Sequence, residues 1–134
     1  KTAAITNITD NAGLITGSVL NGSSTDDTTP TLTGTLSAAL AVGETVRIFN
    51  GSTVVGSATV NNSTRTWSFT PTLPATSGTT YSFTAQVADA AGNLGTASPA
   101  RTLILDTTTP TVAITSNLAL LNASQTSTIT FNSI

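Results

Sequence analysis

Apolar residues fall at alternate positions in short runs, and clusters of Gly, Asn, Asp and Pro separate the runs. This is the periodicity of half-buried strands and not of helices. The pattern predicts a first strand over residues 3–8, continuing after a break over 14–20. A second follows at 31–37, with Leu32, Gly34 and Leu36 inward and Thr31, Thr33 and Thr35 outward. A third, at 46–49, leads through the Asn50-Gly51 hairpin signal into a fourth at 53–60. The stretch 66-TWSFTP-71 puts Trp67 and Phe69 on one face, and 81-YSFTAQVAD-89 does the same for Tyr81, Phe83, Ala85 and Val87. A last strand covers 100–105. Residues 36-LSAALAVGE-44 are too short and Gly-bounded for more than a turn of helix.

Seven main strands over roughly a hundred residues predict an all-β, immunoglobulin-like Greek-key sandwich, closed by two inner apolar faces. Trp67 is the bulkiest candidate for its centre. An internal echo marks where the unit ends. Residues 3-AAITNI-8 resemble 112-VAITSN-117, and the second copy directly follows 106-DTTTPT-111. The expected organisation is a sandwich over 1–106, a linker over 107–111, and the opening of a second, incomplete Ig-like domain over 112–134. Its strands are expected at 112–116 and 127–131, and repetition of this kind marks a bead-like array.

Composition narrows the function. The 134 residues include no Cys, His or Met, one Trp, one Tyr and four Phe, and only 7% are charged. Without His or Cys there is no Ser-His-Asp or Cys-His nucleophile, no usual zinc site and no disulfide framework. Four basic residues against six acidic ones give a net charge of −2, which offers no footprint for a nucleic-acid backbone. No apolar run approaches the roughly 18 residues that span a bilayer, so no membrane insertion is expected. KTAAITN lacks the basic start and apolar core of a signal peptide, so any export signal is expected outside this chain. Many small polar residues can signal disorder, but period-two patterning and a mean hydropathy of +0.21 argue for packed β structure.

The few charges are concentrated at strand ends. Alternating loops of a Greek key place Asp26, Asp27 and Asp106 near the C-terminal pole. Asp10 and the 89-DAAGN-93 turn, with Asp89 and Asn93, are assigned to the N-terminal pole. Two explanations stand side by side. Asp and Asn favour turns because their side chains bond nearby backbone N–H groups. Alternatively, carboxylates gathered with few cations nearby repel unless something positive sits among them. Calcium would suit, because it accepts six to eight oxygens in flexible geometry. The candidate metal ligands are therefore Asp26, Asp27 and Asp106 at one pole, and Asp10, Asp89 and Asn93 at the other. No EF-hand loop accompanies them.

Taken together, 8-ITDNAG-13, 17-GSVLNGSSTDDTTPTLTGT-35, 47-RIFNGSTVVGSATV-60, 67-WSFTP-71, 83-FTAQVADAAGNLG-95 and 103-LILDTTTPT-111 resemble the bacterial Ig-like repeats of giant type I-secreted adhesins and biofilm-associated surface proteins. Residues 111–131 resemble the opening of another repeat subtype in such proteins. The resemblance implies an extracellular spacer repeat on the bacterial surface, partnered by neighbouring repeats of the same chain and stiffened by calcium at the junctions. By position, Asp26, Asp27 and Asp106 match junction acids, as do Asp10 and Asp89. Asp10-Asn11 departs from the two aspartates common there, which weakens that site.

Two other readings remain beside the spacer. A carbohydrate- or surface-ligand-binding module needs an exposed aromatic platform, which six aromatic residues on mostly inward faces scarcely provide. A filament subunit could assemble by strand exchange through the unpaired 127-STITF-131. An enzyme is not expected: Asp26 and Asp27 alternate faces on extended chain, and nothing else indicates a cleft.

Overall fold

In a computed structural model that describes residues 1–113, the alternating runs become ten strands. They are β1 (Ala3–Asp10), β2 (Gly17–Ser18), β3 (Ser23–Thr25), β4 (Thr31–Leu36), β5 (Thr45–Asn50), β6 (Thr53–Ser57), β7 (Thr59–Asn61), β8 (Thr66–Phe69), β9 (Thr79–Ala88) and β10 (Arg101–Leu105). One sheet runs β2-β1-β4-β8-β7, and the other β3-β10-β9-β5-β6. Every pairing is antiparallel except that of β3 with β10. The all-β Ig-like sandwich expected from the periodicity is the fold observed.

The inner faces are those that the alternation picks out. On β4, Leu32, Gly34 and Leu36 are buried, while Thr31, Thr33 and Thr35 face outward. On β9, Tyr81, Phe83, Ala85 and Val87 are buried in turn. They meet Ile8, Trp67, Val46, Ile48, Leu103 and Leu105 between the sheets. Burying a side chain such as Phe83 or Leu32 contributes about 1.5–3 kcal/mol.

Trp67 lies at the centre, as expected, with 3% of its surface exposed. Its indole N–H donates to the Thr35 carbonyl oxygen (3.3 Å). The ring fits because its neighbour across the β4–β8 pair is Gly34, which has no side chain. A Cβ on Gly34 would collide with both the indole and the Ala4 carbonyl. The Asn50-Gly51 signal also gives a hairpin, in which Gly51 adopts φ +59° and leads the Gly51-Ser52 turn.

Three expectations need correction. The stretch at 14–20 does not continue the first strand. The chain reverses after Asp10, and only Gly17 and Ser18 pair, back onto β1; Leu14 and Ile15 are exposed. The run at 53–60 is two strands, not one. After Ala58, whose N–H still donates to the Val46 carbonyl, the backbone leaves β5, and Thr59–Asn61 pairs with β8 in the opposite sheet. Finally, Ser23–Thr25 is a strand although it has no apolar residue, because it pairs alongside β10. Seven expected runs thus become ten strands, by two splits and one addition.

The registers also fix the two ends of the sandwich. Ala3 pairs with Leu36 and Thr9 with Thr31, while Leu105 pairs with Thr25 and Thr79. The chain therefore enters the sandwich at one pole, through Ala3, and leaves at the other, after Leu105. The expected strand at 127–131 and all but the start of that at 112–116 lie outside the described residues. No helix of the described residues is long and apolar enough to cross a membrane.

Candidate functional site

β1 traverses the whole sandwich, so Asp10 lies at the C-terminal pole and not at the N-terminal pole expected from the sequence. The misplacement follows from assigning the loops alternately to the two poles: β1 runs on to Asp10, and the chain reverses only beyond it. Asp10 instead meets Thr25, whose hydroxyl donates to Asp10 Oδ2 (2.6 Å). Asp10 Oδ1 accepts the Ala12 N–H (2.8 Å).

Thr25 also accepts the Asp27 N–H at its hydroxyl oxygen (3.1 Å), so one hydroxyl ties two acidic residues together. Asp27 is only 3% exposed. Its Oδ2 accepts the Asn11 N–H (2.8 Å), while its Oδ1 accepts the Thr29 N–H (2.8 Å) and hydroxyl (3.2 Å). Two carboxylates are thus buried with no basic side chain paired to them among the described residues, and N–H and O–H donors meet them instead. The sequence contained a local signal for half of this: Asp27 and Asp10 each close an Asx turn onto the residue two ahead. Nothing local could reveal the reach of Asp27 to Asn11 or of Thr25 to Asp10.

Asp26 is exposed, with its carboxylate packed against Gly13. A Cβ on Gly13 would meet that carboxylate, which is exposed and can swing aside, so it is the backbone angle (φ +66°) that favours glycine there. Asp106 begins the outgoing chain. Its N–H donates to the Thr25 carbonyl (2.8 Å), and its Oδ1 accepts the Thr108 N–H (3.1 Å) and the Ser77 hydroxyl (3.2 Å). Ser77 Oγ in turn accepts the Thr107 N–H (3.1 Å). The outgoing segment is therefore held for three residues past the last core strand, through Thr108.

The structure thus brings Asp10, Asp26, Asp27 and Asp106 to one pole and leaves Asp89 and Asn93 at the other. There, Asp89 Oδ1 accepts the N–H groups of Ala91 (2.9 Å) and Asn93 (2.8 Å), and Oδ2 accepts the Asn93 side-chain amide (2.9 Å). These bonds, that from the Asn93 side chain first, hold the Asp89 carboxyl below its ordinary range. Beside it Lys1 pairs with Glu44. That bond, reinforced by the Ala41 N–H, likewise lowers the Glu44 carboxyl.

Among the described residues, no three acidic side chains converge closely enough to cage an ion. Asp10, Asp27 and Asp89 direct their oxygens at turn donors. Asp26 and Asp106 are exposed at the pole from which the chain departs, although Asp106 Oδ1 also accepts turn donors. Every aromatic ring among the described residues is buried or half-buried, so no stacking platform for a sugar is exposed there.

A family model described as "Bacterial Ig-like domain" matches residues 2–107. No curated protein and no solved structure matches the chain.

Proposed function

Because the chain belongs to the bacterial Ig-like domain family, we propose that it is a spacer repeat of a bacterial cell-surface adhesin. In this role it holds a distal binding region away from the cell and supports adhesion or biofilm formation. Such domains are typically modules of extracellular or surface proteins and typically non-enzymatic. One observation carries the reading: the backbone enters the sandwich at one pole and leaves at the other. A fold threaded this way adds its full length to an array, about 28 Å for a strand of eight or nine residues at about 3.3 Å each. A domain whose ends met at one pole would add little. The braced start of the outgoing chain, with Thr107 and Thr108 held by Ser77 and Asp106, supports a stiff connection, as does Pro110.

Calcium between repeats is the proposed stiffener. Asp26 and Asp106 are the ligands this pole supplies, and the neighbouring repeat provides the remaining oxygens. Asp10, Asp27, Asp89 and Asn93 act on the turns that shape the poles. The test is small-angle scattering on a chain continued through the complete following repeat. Chelation should shorten the maximum dimension, and restored calcium should recover it in the native protein but not in D26N/D106N. A scattering curve indifferent to both chelator and substitution would remove calcium from the proposal.

A further inference from the structure

Leu14 and Ile15 are adjacent and exposed at 103% and 86%. They are held on a braced loop at the pole where the chain leaves. Single exposed apolar residues are ordinary on protein surfaces, but this pair sits on a built support. The loop is fixed at Asn11 by Asp27 (2.8 Å), at Ala12 by Asp10 (2.8 Å), and at Gly13 by contact with Asp26. Its return leg is fixed by the Val19 N–H bond to the Ile8 carbonyl (2.8 Å). Such bracing around two buried carboxylates holds the loop in place, although neither leucine nor isoleucine contributes to the core.

We infer that Leu14 and Ile15 form an apolar seat for the next Ig-like repeat of the same chain, so that an interdomain contact stiffens the joint alongside any ion. The inference rests on the spacer reading. The length of chain identifies the occupant. Asp106 bonds to Thr25, which bonds to Asp10 at the base of the same loop. Thr107 to Thr111 can span at most roughly 18 Å, and the echo of the opening phrase begins at Val112. On that reading the next repeat starts within that span of Asp106, at the pole that carries the Leu14–Ile15 loop. Tethering also removes the need for a large interface. An effective concentration in the millimolar range lets a two-residue contact, too weak between separate molecules, persist within one chain.

Hydroxyl-radical footprinting on a chain continued through the complete following repeat tests this directly. Leu20, 72% exposed beside β10 and away from both poles, serves as the internal reference. Labelling of Leu14 and Ile15 should be several-fold slower than that of Leu20, in chelator as well as in calcium. Equal labelling overturns the inference. The second arm compares rotational diffusion of the two repeats by nitrogen-15 relaxation in the native chain and in L14S/I15S. The substitutions touch no core residue, so folding is preserved. Coupled tumbling that loosens in the variant supports the seat; tumbling unchanged by the variant overturns it and leaves the spacer reading standing. Independent tumbling in the native chain, with calcium present, would sink the spacer reading itself.

Discussion

At the C-terminal pole, Asp27 and Asp10 accept bonds from partners sixteen and fifteen residues away, whereas at the N-terminal pole Asp89 closes on Asn93, four residues ahead. The first pair is buried and the second exposed. Identical chemistry therefore does different mechanical work. A local turn orders its own loop, while a long-range brace locks β1, β3 and the approach to β4 into one unit. The spacer reading predicts this asymmetry, since the outgoing chain must pass load into the next repeat through the C-terminal pole.

The comparison breaks most severely at Asp27. D27A removes the buried carboxylate that accepts the part-buried Asn11 and Thr29 donors and should cost about 2–3 kcal/mol in chemical denaturation. A cost no larger than that of an exposed turn substitution would mean that the brace is ornamental. T25V is milder, near-isosteric, and removes only the hydroxyl joining the two acids. About 1–2 kcal/mol is expected, with a coupling of about 1 kcal/mol to D10A in a double-mutant cycle. Additive losses would show that Asp10 and Thr25 act separately.

D89A should have the smallest effect, a melting shift below that of T25V. Its pH dependence has a definite sign. The folded-state carboxyl is lowered from its ordinary value of 3.8. Its contribution is therefore complete above that value and fades as pH falls below it. The difference between wild type and D89A should narrow on acidification below about pH 4; a gap that widens would contradict the assignment.

Much of the fold was legible because alternation is a local property. Leu32, Gly34 and Leu36, the four inward residues of β9, and buried Trp67 all follow from which neighbours are apolar. Legibility failed where pairing and not hydrophobicity makes the strand. Ser23–Thr25 has no apolar face to read, and the last two residues of β1, Thr9 and Asp10, are polar and carry no apolar signal that would extend the strand past Ile8. Thr53–Asn61 reads as one run because its change of sheet leaves no gap in composition. The acids at the poles were visible as a set, but the pole of Asp10 depended on the length of β1.

Sequence by itself determined the class of fold, the inner faces and the positions of the turns, because side-chain period and turn chemistry act over a few residues. Only the tertiary structure decided that Thr25 joins Asp10 to Asp27, that Gly34 makes room for Trp67, and that Leu14 and Ile15 stand exposed beside the outgoing chain. Those relations connect residues separated along the chain, and their energies arise only when the strands pair and the two sheets close.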